Sequence, residues 1–291
     1  MKEEINKKIQ ELEKEMMSPD FWNDKNHAQV VLKQITELKD DLLGKDKYNN
    51  GDAIMTIYSG AGGDDAEDFS RILLEMYSKF FAKRGWSSIV LDEVENDHGG
   101  YRNITLEISG KSAYGDLKGE AGVHRLVRLS PFNAKSLRQT SFSMIEVSPK
   151  IEKDSSIELS EKDLKFEMSK AGGPGGQNVN KRETAVKVVH IPTNISVRAT
   201  SERTQPKNKE KALQILKGKI YAYYEKEKSD KEKGLFISKS TSIEWGNQIR
   251  SYVFHPYKMI KDHRTDVETS NIDKVLNGDL DEFIEAEKKL N

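Results

Sequence analysis

The stretch Ser169–Lys181, S-K-A-G-G-P-G-G-Q-N-V-N-K, places four of the chain's 20 glycines within five positions and breaks them with a proline. Glycine permits positive φ and close backbone approach, but ordering a run of it costs conformational entropy. Neither a helix interior nor a central strand uses such a run, so the fold must supply a loop here. Composition alone also allows an interdomain linker. Gln177-Asn178-Val179-Asn180-Lys181-Arg182 follows directly, however, and Thr184–Ile191 at once has the pattern of a strand. A loop held out by a packed domain fits better than a spacer.

A length of 291 residues allows one or two domains with a sizeable core. Charged residues make up 33% and hydrophobic ones 35%, and no apolar run approaches the length that spans a bilayer. Met1–Gln10 is charged and lacks the apolar stretch of a signal peptide. With no cysteine, disulfides, thiolate metal sites and a Cys nucleophile are excluded together, and a cytoplasmic protein is expected. Net charge is −1, but it is unevenly placed: residues 51–100 carry 4 basic against 10 acidic side chains, and residues 177–233 carry 14 against 7. A basic block contiguous with the glycine loop points to a polyanion-binding segment, although a solvated Lys/Glu helix accounts equally well for 207–233 alone.

The pattern predicts an α+β multidomain protein. Residues 1–45 form a helical hairpin, with Ile5, Ile9 and Leu12 on one helix and Val31, Ile35, Leu38 and Leu42 on the other. Residues 51–153 form a mixed α/β domain: a strand at Ala53–Tyr58, an amphipathic helix at Asp65–Arg84, then strands near 88–91, 103–108, 125–129 and 140–147. A separate α+β domain at 158–233 bears the glycine loop, with strands near 164–166, 185–191 and 195–199 and a basic helix at 208–227. Residues 234–245 connect it to a strand at 249–254 and a helical tail at 271–291.

Familiar sites are missing. Gly110-Lys111-Ser112 resembles the end of a P-loop, but Thr105 stands where the first glycine is required. Six scattered histidines offer no H-x-x-x-H pair, so neither a metal nor a cofactor is expected, and no nucleophile–base pair is evident. An enzyme of this kind would work by positioning and backbone electrostatics.

Gly175-Gly176-Gln177 resembles the GGQ motif of class I peptide chain release factors. Further matches follow in the family's order: Gly122-Val123-His124-Arg125-Leu126-Val127-Arg128, His190-Ile191-Pro192-Thr193, Gln248-Ile249-Arg250-Ser251-Tyr252-Val253 and Lys261-Asp262-His263-Arg264-Thr265. Ser130-Pro131-Phe132 is similar to the SPF tripeptide of the bacterial release factor 2 type, which implies reading of UAA and UGA. The resemblance implies that 51–153, completed by 245–291, is a decoding domain and that 158–233 is the peptidyl-tRNA hydrolysis domain. It also implies that 234–245, with Trp245, is a switch loop acting as a hinge.

Gly175, Gly176 and Gln177 would carry hydrolysis of the ester joining peptide to tRNA. Negative charge develops there on a carbonyl oxygen, and a preorganised backbone N–H contributes about 3–4 kcal/mol to such steps. By the resemblance the Gln177 N–H is that donor, and its side chain, which carries N5-methylation in the family, shapes the pocket. Lys181, Arg182, Lys187 and the basic helix would hold ribosomal RNA phosphates. Ser130, Pro131, Phe132, Gln139 and Thr140 would read the second and third codon bases, while Gly62 and Asp65 belong to the helix tip that reads the first uridine. Asp65 replaces the usual glutamate and Gln139 the usual histidine, which leaves codon preference open.

The implied partners are the 70S ribosome (ribosomal RNA, the mRNA stop codon and peptidyl-tRNA) and a glutamine methyltransferase. A first domain shorter than the family's leaves the class II release-factor GTPase open. Two alternatives remain: a codon-independent ribosome rescue hydrolase and a non-catalytic RNA-binding protein. The intact GGQ opposes the second. A tail of 3 basic and 8 acidic residues at 266–291 opposes the first.

Overall fold

The structure, a computed structural model, describes Ile9, 12–14, Met16, Val31, Ile35, 48–151, 159–170, 182–232 and 248–290. Two compact units are distinguished, Met1–Asn50 and Gly51–Asn291. In the first, Ile9, 12–14, Val31 and Ile35 are helical, and buried Val31 and Ile35 pack with Leu12 and Met16. Each pair is spaced i, i+4, which puts both side chains on one helix face.

The strands described in the second unit are β1 (Ala53–Ser59), β2 (Ser87–Glu95), β3 (Tyr101–Ser109), β4 (Gly122–Leu129), β5 (Arg138–Pro149), β6 (Leu164–Ser169), β7 (Ala185–His190), β8 (Ile195–Ala199), β9 (Gln248–Val253), β10 (Met259–Asp262) and β11 (Glu268–Thr269). The helices are α1 (Asp64–Arg84), α2 (Ala113–Leu117), α3 (Gln205–Glu232), α4 (Ile272–Leu276) and α5 (Asp281–Lys288). These bear out the α+β expectation, with strand ends shifted by a few residues. The elements that the sequence pattern did not reveal, α2, β10 and β11, are five residues or shorter.

An eight-stranded sheet runs β11-β10-β9-β4-β5-β1-β3-β2, and a three-stranded one runs β6-β7-β8. All strand pairs are antiparallel except β4 with β9, where Leu126 faces Tyr252 and Val127 faces Val253. Through that parallel pair the segment from 248 onward joins the large sheet. α1 buries Phe69, Leu73, Met76, Tyr77, Phe80 and Phe81 and stops at Gly85, whose φ of 69° favours glycine. Ser70 of α1 bonds Ser143 of β5, whereas Lys219 of α3 bonds Glu146 of the same strand. Residues three apart on a strand point to opposite faces, so α1 and α3 cover the two sides of the large sheet.

The small sheet and α3 are docked rather than free-standing. Val188, Val197, Ala199, Ala212, Ile215, Leu216 and Ile220 share one apolar core with Ile54 and Leu91 of the large sheet. Polar contacts border this seam. The Lys219 ammonium donates to Tyr58 Oη at 2.7 Å and to Glu146 at 2.8 Å. Lys211 and Lys150 both pair with Glu107, and buried Asp92 accepts from Thr200 Oγ1 at 2.8 Å and Arg198 at 3.3 Å. At Gly218 a Cβ would lie 2.3 Å from the Pro149 carbonyl oxygen, so only glycine allows this approach.

A second polar assembly sits under β4. Arg250, fully buried, donates to both Glu120 oxygens (2.6 and 2.8 Å) and to Asp262 (3.0 Å), while Tyr77 Oη also donates to Glu120 at 2.6 Å. Arg264 grips Asp262 with two side-chain bonds of 3.1 and 2.8 Å and with its backbone N–H at 3.0 Å. His124 lies between Tyr252 Oη and the Glu120 carbonyl. Motif residues that the sequence offers as signatures therefore brace α1, β4, β9 and β10.

Candidate nucleic-acid interface

Two loops meet at one end of the large sheet, Gly60–Gly63 and the loop between β4 and β5. The Gly60–Gly63 tip lies on β5: Gly60 N–H donates to Phe142 O at 2.8 Å, and Phe142 N–H returns a bond to Ala61 O at 3.0 Å. Gly62 has φ 136°, and a Cβ there would sit 2.8 Å from Ser141 Cβ. Both the backbone and the space demand glycine. Asp64, Asp65 and Glu67 then open α1, where the helix dipole favours acidic groups.

Asp65 is turned inward. One carboxylate oxygen accepts the Ser130 hydroxyl at 2.5 Å, and the other accepts Arg128 Nη2 at 3.0 Å. Arg128 also grips Asp68 at 2.6 Å. Asp65 (8% exposed) and Ser130 (4%) are buried, so the carboxylate orders the serine hydroxyl rather than facing solvent. Ser130 Oγ also accepts the Phe132 N–H at 3.2 Å. Its proton is committed to Asp65, and one acceptor lone pair remains. The loop closes where Ser130 N–H donates to Leu137 O at 3.0 Å. Pro131, Phe132, Gln139 and Thr140 are exposed around it. Gly62, Asp65, Ser130 and Phe132 are thus gathered into one patch, and Gln139, opposite Arg128, and Thr140, opposite Val127, lie on the strand beside it. Arg128 and Asp68 complete it although the sequence reading did not single them out. The signal for them is two aspartates at i, i+3 on a helix start, able to face one cation.

Gly175, Gly176, Gln177, Lys181 and Trp245 lie outside the described residues. The segment that carries the first four leaves and re-enters the small sheet at one point, since Ser169 and Ala185 are paired partners. Its stem is tied on both sides. Arg198 donates to Lys170 O at 3.4 Å, and fully buried Asn208 donates to Thr184 O at 2.8 Å and Glu202 O at 2.9 Å. Arg182 and Arg203 line a depression of about 410 Å³ together with Glu183, Thr184, Thr204 and Gln205. Lys187 is half-exposed and shares Glu167 with Lys165. Lys211 and Lys219 of α3 are engaged by carboxylates of the large sheet, so the basic block is partly an intramolecular counter-charge. Among the described residues no group of His, Asp and Glu is placed to hold a metal, and no helix is long and apolar enough to cross a membrane.

The chain matches the PCRF domain family over residues 32–145 and the RF-1 domain family over 151–264. It is 43% identical to peptide chain release factor 2 of Clostridium perfringens, covering 97% of this chain and 79% of that protein. It belongs to the bacterial release factor 2 family. The corresponding Petrotoga mobilis factor is 38% identical over 98% of this chain and 91% of its own length. That alignment runs over 333 positions, more than this chain's 291 residues, so the relative carries residues that this factor lacks. The solved release factor 2 of Thermus thermophilus superposes with a TM-score of 0.72 at 38% identity, covering 97% of this chain and 80% of that one. As a release factor, the chain acts in translation termination, with the ribosome as its partner.

Proposed function

We propose that this factor reads UAA and UGA in the ribosomal decoding site and promotes peptidyl-tRNA hydrolysis through Gly175-Gly176-Gln177. The observation that carries the codon reading is the Ser130 hydroxyl, ordered by Asp65 and Arg128 at the rim of an exposed loop. UAA and UGA differ at the second base, where adenine offers an amino donor and guanine a keto acceptor. A hydroxyl serves both, accepting with its remaining lone pair or donating once it turns from Asp65. Thr140, exposed on β5 opposite Val127, adds a second hydroxyl at the same end of the sheet.

Hydrolysis needs no titrating side chain. The Gln177 N–H stabilises charge developing on the ester oxygen, and the Gln177 amide admits water while excluding larger nucleophiles. Gly175 and Gly176 permit the backbone conformation that presents this N–H. N5-methylation of Gln177 by a glutamine methyltransferase, ribosomal RNA held by Lys181 and Arg182, hinge motion at 234–245 around Trp245 and a cytoplasmic location complete the proposal. The segments 51–153 with 245–291 then act as decoding domain and 158–233 as hydrolysis domain. In this docked arrangement Lys211 and Lys219 are bound to the large sheet, so extension of the hydrolysis domain exchanges carboxylates for RNA phosphates.

The test is peptide release from ribosomes programmed with UAA, UGA, UAG or a sense codon, or left without a codon. Release at UAA and UGA alone is expected. Equal release without a codon removes the decoding function and favours the rescue hydrolase.

A further inference from the structure

Eleven large hydrophobic side chains are exposed among the described residues, and three of them, Leu129, Phe132 and Leu137, fall within nine positions of the codon loop. Apolar display concentrated in this way marks a contact surface. One further ring joins it. His98, on the β2–β3 turn, lies 5.8 Å from the Phe132 ring, centroid to centroid, at 39° between planes, and both side chains are exposed.

The support under His98 is rigid. Asn96 Oδ1 accepts the His98 N–H at 3.0 Å and the Gly100 N–H at 2.7 Å, and Asn96 Nδ2 donates to Glu67. Gly100 is pressed onto α1 so closely that a Cβ would fall 2.7 Å from the Glu67 carbonyl carbon and 2.9 Å from Asp68 N. The turn is therefore pinned to the same first turns of α1 that carry Asp65 and Asp68. None of the contacts that order Ser130 involves the imidazole, so the ring is not needed to hold the loop together.

We propose that His98 is a message-binding residue of the decoding site, forming with Phe132 a two-ring platform on which an mRNA base stacks. Single-stranded bases are bound in this way, because each presents a π-face to a pre-placed aromatic ring. The inference rests on the codon-reading function proposed above. The base is either the third of the stop codon or the nucleotide that follows it; both offer the same face.

The experiment is codon-dependent release by the full-length His98→Ala protein. The factor concentration giving half-maximal release at UAA and UGA should rise by about 5-fold or more, the lower end of what one stacked base contributes. The maximal rate at saturating factor and the melting temperature should stay unchanged, since the turn is held by the His98 backbone N–H, which the substitution keeps, and among the described residues the exposed imidazole meets only the Phe132 ring. His98→Phe should restore the half-maximal concentration. Messages abasic at codon position three or at the following nucleotide locate the base, and the His98→Ala penalty should vanish with one of them. An unchanged half-maximal concentration, failure of His98→Phe to rescue, or a penalty that persists with both abasic messages overturns the inference. A wild-type protein that releases equally without a codon overturns the decoding function itself. Codon-dependent wild type with an unaffected His98→Ala protein overturns only the platform.

Discussion

Arg250 and Lys219 are both cations whose partners come from distant parts of the chain, yet their surroundings differ. Arg250 and its two carboxylates, Glu120 and Asp262, are essentially without solvent exposure, and Tyr77 and Arg264 fill most of the remaining hydrogen-bonding positions. Lys219 is 11% exposed and pairs with Glu146, which is 39% exposed. Removing one partner from a dry cluster strands an uncompensated charge, whereas the partner in a half-wet pair simply hydrates. The Arg250 cluster thus works as a permanent brace between the C-terminal strands, α1 and the turn that leads into β4. The Lys219 seam is a join that can open without leaving anything buried and unpaired.

The widest gap between the two should appear on deleting the cations. Arg250→Ala should cost about 3–5 kcal/mol in urea unfolding, by stranding the buried Glu120, while Asp262 keeps Arg264. A loss below about 1 kcal/mol would remove the distinction altogether.

Acid should attack the brace before the seam. Burial, and then the charge of Arg250, pushes His124 from its ordinary 6.5 down to about 4. The unfolded chain takes up that proton near 6.5 and the folded one does not, so stability falls as pH drops from about 6.5 to 4. Burial raises the Asp262 carboxyl, but hydrogen bonds from Arg264 and the charge of Arg250 outweigh it and hold the group at about 2. A second loss therefore runs from about pH 4 to 2, with Glu120, also held low, adding to it. The upper step amounts to roughly 3 kcal/mol and the Asp262 part of the lower one to roughly 2 kcal/mol. Unfolding free energy measured from pH 7 to 3 checks the sequence, and His124→Gln should flatten the upper step. A curve flat between pH 6.5 and 4 in the wild type would contradict the buried, neutral imidazole.

The difference between brace and seam was only partly legible in the sequence. The apolar stripe from Phe69 to Phe80 locates α1, because burial on one side imposes that period, whereas β1, buried on both faces from Ala53 to Ile57, shows as a short, nearly continuous apolar run. The two-residue β11 is too short to carry a period and is defined by its pairing with β10. Charge misleads for a different reason. The excess of acid in 51–100 and of base in 177–233 suggested a polyanion partner, yet part of each excess meets the other, as Asp92 with Arg198 shows. Composition cannot tell an internal counter-charge from an external one. Likewise Gly62 and Ser130 were identifiable as site residues from motif resemblance, whereas Arg128, on β4 two positions before Ser130, is revealed as part of the site only by its grip on Asp65 and Asp68.

The seam should yield to shape more readily than to charge. In Gly218→Ala the new methyl meets the Pro149 carbonyl at 2.3 Å, and backbone must move to admit it. Overpacking of this kind costs about 1–3 kcal/mol. Because α3 can move away as a body, the cost should appear as undocking: faster limited proteolysis between the two sheets and a larger radius of gyration in solution scattering, with acid stability unchanged. A compact Gly218→Ala protein that unfolds at a higher pH than wild type would place Gly218 in the brace instead.

The smallest effect separates the seam from an ordinary surface. Lys219→Ala should cost about 1 kcal/mol, since Glu146 regains water and Tyr58 keeps its own hydrogen bond to that carboxylate. Lys187→Ala, which removes one half of an exposed pair with Glu167, should fall within about 0.5 kcal/mol of wild type. Salt distinguishes all three positions. At 1 M ionic strength screening acts over roughly 3 Å, so the Lys219→Ala deficit should shrink while the Arg250→Ala deficit persists. If the Lys219→Ala deficit stayed constant with salt, the seam would be held by its apolar core of Ile54, Leu91, Ala212 and Leu216, and its opening would cost buried area rather than ion pairs.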